Sequence, residues 1–333
     1  MEILNFDSYD KVKLFWMELN RTYKSGELSV DWTANELIWN HFYKNRGFTL
    51  NIVVGLKEDK CYGIFPLIFG DHDMSGECFW SFTEDFIISK EYFCPPGEIH
   101  HFLEYLPPHF SDDLSSFYTP EEPQLLGCSY RGLIDIKHSQ EEYYQSLKKK
   151  HRHDLKRTWR INGDLEVTAD SRLRWDEIQG VLKQQLDYWQ QKKGAISESY
   201  VSYSRDKTIT DLLLMRRAEE MGKLIALYFY LNHELVAANF SVRRERDRVD
   251  DYMCLRNCQP HFASRGLGIF AILKNIEHCR QLGIRYYDLS SCLTDYKKKF
   301  INMETLCYYM MYDGIMTQSS IPRPAQPSLT GVV

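Results

Sequence analysis

No apolar stretch of the 333-residue chain approaches the roughly 18 residues needed to cross a bilayer. The opening Met1-Glu2-Ile3-Leu4-Asn5-Phe6-Asp7 holds no basic segment followed by an apolar one, so neither a secretory signal nor a membrane span is expected. The nine cysteines include no CxxC pair and their number is odd, which argues against a disulfide framework and against a structural zinc site. The expectation is a set of buried thiols in a reducing cytoplasm, and no metal. There is no excess of positive charge either: the formal net charge is -5, so nothing global draws the chain to nucleic acid or an anionic membrane. Low-complexity segments and visible internal repeats are missing as well.

What is present is an ordinary globular composition, 44% hydrophobic and 26% charged, over a length that suits one large domain or two of common size. Helical spacing of Val12, Phe15, Trp16 and Leu19 predicts a helix over 7–24, and Leu37, Ile38, Phe42 and Tyr43 predict another over 31–46. Two β-type runs follow, Phe48–Leu56 and Cys61–Phe69, around the polar turn 57–60. Prolines at 95, 96, 107, 108, 120 and 123 break 70–128 into short elements. A strand at Tyr130–Ile136 and one long helix over 137–161 come next, then a strand at 165–169, a helix over 172–193 and another over 208–221. The runs Leu224–Leu231 and Leu235–Val242 read as a hairpin about Asn232 and His233. A strand at Arg248–Arg256 leads to a glycine-containing loop, a helix over 264–282, a strand at 284–289, a short helix near 295–300 and a last strand at 305–312. The tail 316–333, rich in proline and small polar residues, is expected to be disordered.

The loop Arg265-Gly266-Leu267-Gly268 stands between a strand and a helix. The first turn of a helix carries unpaired backbone N–H groups and the positive end of the dipole, so it accepts a diphosphate where glycines allow close approach. A flexible turn or tight helix packing explains an isolated G-x-G equally well. Asp250 and Asp251, adjacent on a strand, point to opposite faces, so at most one enters a cleft. That residue is a candidate base, while a solvent-facing pair answering Arg246 and Arg248 is the alternative. Asp288 is a rival base, or a structural acceptor for the loop Ser290-Ser291-Cys292. Cys254, Cys258 and Cys292 lie near the same region, with His233 and His261 as conceivable partners, but nothing fixes a nucleophilic pairing. His151 and His153 do not share a helix face and so are not a metal pair. Lys148, Lys149, Lys150, Arg152, Lys156, Arg157 and Arg160 place seven cations beside one acid, Asp154, on one helix. That run is either a solvated face or a grip on RNA or another anionic surface.

The segment Gln259-Pro260-His261-Phe262-Ala263-Ser264-Arg265-Gly266-Leu267-Gly268, its helix, and Tyr286-Tyr287-Asp288-Leu289-Ser290 resemble the GNAT acyltransferases. The run Tyr296-Lys297-Lys298-Lys299-Phe300 is similar to a motif of their FemAB-like and CelD-like tandem branch, as is the opening of the basic helix after Ser139. The resemblance covers roughly 130–313. It implies an α/β fold of two tandem GNAT-like domains with mixed central sheets: a degenerate N-terminal copy over 1–128, a C-terminal copy over 129–314 holding the donor site, and the tail 315–333. It also implies an acyl-CoA-dependent N-acyltransferase, acetyl-CoA or another acyl-CoA serving as co-substrate. The acceptor would be an amine on a small molecule, sugar or envelope precursor. An aminoacyl-tRNA-dependent transferase, or a non-catalytic protein of envelope biosynthesis with the same fold, is the alternative. The resemblance assigns Arg256, Arg265, Gly266, Leu267, Gly268 and Lys297 to the donor, Asp251 or Asp288 to the base and Tyr296 to the acid. The family's loop carries Arg or Gln three residues before its first glycine, where this sequence has Ala263. Arg265 is therefore expected to supply the cation, unless the loop binds its ligand in another way.

Overall fold

A computed structural model describes residues 2–23, 28, 31–57, 59–69, 127–137, 139–193, 198–244, 247–289 and 296–309. The proline-broken stretch before residue 127, the loop 290–295 and the tail beyond 309 lie outside the described residues, and with them Cys292 and the expected Ser290–Cys292 cap.

The N-terminal part is a three-stranded antiparallel sheet, order β1-β2-β3, formed by β1 (Glu2–Phe6), β2 (Thr49–Lys57) and β3 (Lys60–Phe69). The hairpin of β2 and β3 falls where the alternating runs place it; β1, only five residues long, escapes a periodicity reading. Helix α1 (Tyr9–Tyr23) turns Val12 and Trp16 inward, and α2 (Trp32–Ile38) runs on through a wider turn, Trp39–Tyr43, and a tight one, Lys44–Arg46. Gly47, at φ +80°, ends this run, as a residue without Cβ does at low cost. Tyr9, Val12, Trp16, Phe42, Tyr43, Ile52 and Val54 form the small core.

The larger part is a seven-stranded mixed sheet of order β10-β4-β9-β8-β7-β6-β5. Its strands are β4 (Gly127–Asp135), β5 (Glu166–Asp170), β6 (Leu224–Leu231), β7 (Glu234–Arg243), β8 (Arg248–Arg256), β9 (Tyr286–Asp288) and β10 (Met303–Tyr309). Every pairing is antiparallel except β8 with β9. The β6–β7 hairpin closes through Asn232 and His233, both at positive φ, the backbone shape of a primed two-residue turn. The single long helix expected over 137–161 is two. Ser139 and Glu142 make a reciprocal capping box on α3 (Gln140–Ser146), Leu147 goes extended, and α4 (Lys149–Ile161) starts afresh.

Both faces of this sheet are covered, so β6 reads as a continuous apolar run rather than an alternating one. On one face Leu224, Ala226 and Tyr228 pack with α5 (Trp175–Lys193) and α6 (Glu198–Glu220). Leu28 and Ala34 of the N-terminal part belong to that same core. On the other face Ile225, Leu227 and Phe229 lie toward α8 (Leu267–Gln281), against which α4 packs through Trp159, edge-on to Phe270. The N-terminal part is tied to α6 by two ion pairs. Arg46 meets Asp206 at 2.9 Å, and Arg217 meets both oxygens of Asp31 at 2.8 and 2.9 Å. Asp31 also caps α2 by accepting from the Ala34 N–H. One carboxylate thus holds a helix start and an inter-element clamp together. Arg217→Ala is expected to lower unfolding stability by about 2 kcal/mol, since it strands a partly buried carboxylate. A urea titration followed by tryptophan fluorescence measures this; an unchanged midpoint would show the clamp to be idle.

Candidate active site

The parallel neighbours β8 and β9 pair only from Arg248–Asp250 to Tyr286–Asp288. Beyond that point β8 continues for six residues beside β7, while β9 ends and the next residue, Leu289, donates its N–H to the Gly132 carbonyl of β4 at 2.9 Å. No described strand pairs with Asp251–Arg256 on the β9 side, so a wedge opens in the middle of the sheet. The short paired end is locked by charge: Arg248 reaches Asp288 with Nη2 and Asp250 with Nε at 3.4 Å, while Arg244 meets Asp250 at 3.2 Å. Asp288 is fully buried within this lock.

Asp250 and Asp251 do take opposite faces. A bulge decides the rest: Phe240 opposes Met253 while Ser241 opposes Asp251, leaving Tyr252 over. Both Tyr252 and Met253 then pack toward α5 and α6. The extra residue returns Asp251 to the α8 face, the kind of re-aiming that bulges perform. There, on the sheet beneath α8, Asp251 Oδ1 accepts from Tyr287 at 2.7 Å and from Asn239 at 3.2 Å. Burial pushes its carboxyl above the ordinary carboxylate range. The Tyr287 bond, the Lys297 ammonium and the Asn239 bond oppose that rise, and Asp288 adds to it. Burial also holds the Tyr287 phenol well above its usual value, so it stays a donor. Asn239, Ser241, Asn275 and Tyr287 are all wholly buried, and Asn275 Oδ1 has no hydrogen-bond partner. An unmatched buried acceptor costs about 1–3 kcal/mol.

At the far end of β8 the chain passes through α7 (Pro260–Ala263) into α8. Gly266 takes φ +64° at the start of α8, and no side chain caps that helix. A Cβ on Gly268 would lie 3.1 Å from Nη1 of Arg256, so that guanidinium rests over the first turn. Asn162, fully buried at the end of α4, steadies the loop by donating to the Arg265 carbonyl at 2.8 Å. Arg265 itself is engaged on both nitrogens by Asp164, at 2.7 and 2.8 Å. Between the two arginines, Arg256 is therefore the one placed on the glycines, and Arg265 braces the loop from outside.

Lys297 donates to the Leu289 carbonyl at 2.6 Å, which brings its ammonium to the Asp251 end of the wedge. Tyr296, beside it, is 42% exposed. Lys299 pairs with Asp154 of α4 at 3.0 Å. On α4, Lys148, Lys149, Lys150, Lys156, Arg157 and Arg160 are all exposed, and of these Lys156 meets Glu141 at 3.3 Å. Burial pushes Cys254 up to about 12 and raises Cys258, the reverse of what a nucleophilic thiol needs. Among the described residues no group of three His, Cys, Asp or Glu side chains forms a metal cluster, and no helix is long and apolar enough to cross a membrane.

A mixed sheet splayed at one parallel pair, with a glycine-started helix beyond the splay, is a GNAT architecture. Residues 149–298 match the family described as Acetyltransferase (GNAT) domain. That stretch is a GNAT-type N-acyltransferase domain. No curated protein matches the sequence. Among solved structures, FemX is 10% identical with a TM-score of 0.45, covering 93% of this chain and 96% of its own. A tandem GNAT protein from the clavulanic acid biosynthesis pathway is 10% identical with a TM-score of 0.39, covering 86% and 89%. PaiA N-acetyltransferase from Thermoplasma acidophilum, in complex with coenzyme A, is 15% identical with a TM-score of 0.28, covering 36% and 75%. At these identities and scores none of the three bears on substrate.

Proposed function

We propose that the protein is an acyl-CoA-dependent N-acyltransferase, with acetyl-CoA the first donor to test, acting on the amine of a small molecule, sugar or envelope precursor. The observation that carries this reading is the wedge between β8 and β9, with Asp251 at its inner end and the Arg256–Gly268 cradle at its outer end. Asp251 and Arg256 are five residues apart on one strand, on the order of 15 Å. That spacing suits a donor with a pyrophosphate at one end and a thioester at the other. The Gly268 cradle supports the fit, because any side chain there would fill the approach to the first-turn N–H groups. When bound, the donor supplies an acyl group on a thiol leaving group. Gly266, Leu267 and Gly268 offer backbone N–H groups to the pyrophosphate, with Arg256 adding charge and Lys297 standing near the reacting end. Asp251 takes the proton of the incoming ammonium, and Tyr296 returns one to the departing thiolate. Asp288, buried against Arg248, serves the sheet rather than the chemistry. We further assign residues 1–128 to an accessory half and 129–314 to the donor-binding half.

Calorimetric titration with acetyl-CoA, CoA and a long-chain acyl-CoA tests the reading; micromolar affinity for at least one is the expected result. A second reading is favoured by the exposed cations of α4, the helix whose C-cap Asn162 donates to the glycine loop. It is a transferase fed by aminoacyl-tRNA. Failure of all three CoA ligands, joined to RNA binding that falls steeply with salt and is lost on reversing Lys149, Arg157 and Arg160, would establish it instead.

A further inference from the structure

The buried polar groups under α8 have a direction. Tyr287 gives its one hydrogen to Asp251 at 2.7 Å, so toward Ser241, 3.2 Å away, its oxygen accepts. The one hydrogen of Ser241 serves Tyr287 at 3.2 Å or Asn239 Oδ1 at 3.4 Å, each of which donates on to Asp251, and the Ser241 oxygen takes an amide hydrogen of Asn275 at 3.2 Å. The amide nitrogen of Asn275 also donates to Asn239 Oδ1, and Asn239 gives its amide hydrogen to Asp251 at 3.2 Å. Two routes therefore leave one amide nitrogen on α8 and end on one oxygen, Oδ1 of Asp251. One passes through Ser241 and Tyr287, the other through Asn239. Every donor in both routes points at the carboxylate, and chained hydrogen bonds polarise one another in a dry setting.

We propose that Asn275 and Tyr287 are positioning residues, which fix and polarise the carboxylate of Asp251 from the underside of the donor helix. The proposal deepens the acyltransferase reading and rests on it for the role of Asp251. Asn275 stands on α8, two turns beyond Gly268, so the helix that would meet the donor's phosphates also orients the base. The other titratable groups facing the carboxylate are Asp288 from β9, Lys297 from the turn after it, Cys254 from β8 and Cys279 from α8. Cys254 meets the ring of hydrogen bonds through Asn239. A packing role alone would require only that five side chains fill space. It would not require the hydrogens to run one way.

The test does not need turnover. In protein labelled with carbon-13 at aspartate carboxyls, the Asp251 signal is identified by its disappearance in Asp251→Asn, and its titration midpoint is followed against pH. Tyr287→Phe keeps the ring volume and removes a donor to the charged form, so the midpoint should rise by about one unit. Asn275→Leu removes the source of both routes at similar volume and should raise it by about half a unit. Unmoved midpoints in folded variants would overturn the proposal and leave a packing role. Should Asn275→Leu fail to fold, the Tyr287→Phe result decides alone. The acyltransferase reading fails by a different measurement, absence of acyl-CoA binding, which leaves these midpoints where they are.

Discussion

Asp251→Asn is expected to slow acyl transfer by about a hundred- to ten-thousandfold while leaving acetyl-CoA affinity within a few-fold of the parent. The split follows from position. Asp251 sits at the inner end of the wedge, whereas the donor's phosphates would be held by Arg256 and the first turn of α8, at the other end of the strand. The substitution is close to isosteric, and the amide oxygen can still accept from Tyr287 and Asn239, so the ring of buried groups survives. Only the ability to take a proton goes. In the parent, activity should rise with pH through a midpoint above the ordinary carboxylate range, because the base must be ionised and burial opposes ionisation. The effect on stability has the opposite sign. A carboxyl whose folded value is raised binds more protons folded than unfolded, so stability falls as pH rises from the ordinary aspartate value through the raised one. Asp251→Asn removes that loss and should be at least as stable as the parent at neutral pH. Loss of turnover with no loss of stability is thus the signature; turnover within threefold of the parent would remove Asp251 from the chemistry.

How much of this was legible in the sequence varies with distance along the chain. The β6–β7 hairpin, β8 and the glycine-started helix are set by local patterns: a two-residue turn, a run between charged turns, an αL position that wants glycine. The opposite facing of Asp250 and Asp251 follows from the strand's period of two. Which of them faces α8 does not, because a single extra residue at Tyr252 and Met253 sets the phase and no local signal marks a bulge. Asn239, Ser241, Asn275 and Tyr287 were invisible as a group. They come from two strands, β7 and β9, and the helix α8, and each alone reads as an ordinary polar residue on an apolar element. A clue did exist in the alternation of Asn239 and Ser241 with Phe240 and Val242, which places two polar side chains on one face of a strand buried on both. The two loop arginines show the same limit. Arg265 is adjacent to the glycines in sequence but is drawn off by Asp164, while Arg256, ten residues before Gly266, returns to the loop at the end of its strand.

Gly268→Val is expected to weaken acetyl-CoA binding at least a hundredfold, equal to about 2.7 kcal/mol, without unfolding the protein. The backbone at Gly268 is ordinary helix, so a side chain brings no strain there, and helix propensity improves on replacing glycine. What a Cβ meets is Nη1 of Arg256 at 3.1 Å, the far end of a flexible side chain, which can move. Movement relieves the clash but carries the cation off the first turn, and the valine methyls occupy the approach to its N–H groups. Both consequences act on an anionic ligand and neither acts on the core. Gly266→Ala should show the reverse pattern. Its added Cβ has room, the nearest atom being Thr158 Cγ2 at 3.8 Å, but φ +64° costs an alanine about 1–2 kcal/mol. That variant loses stability first, and it loses affinity only as far as the loop shifts. Calorimetry and thermal unfolding on the two variants therefore separate a glycine kept for ligand approach from a glycine kept for backbone shape. Undiminished acetyl-CoA binding by Gly268→Val would move the donor away from α8 and undo the assignment of Arg256, Gly266, Leu267 and Gly268 together.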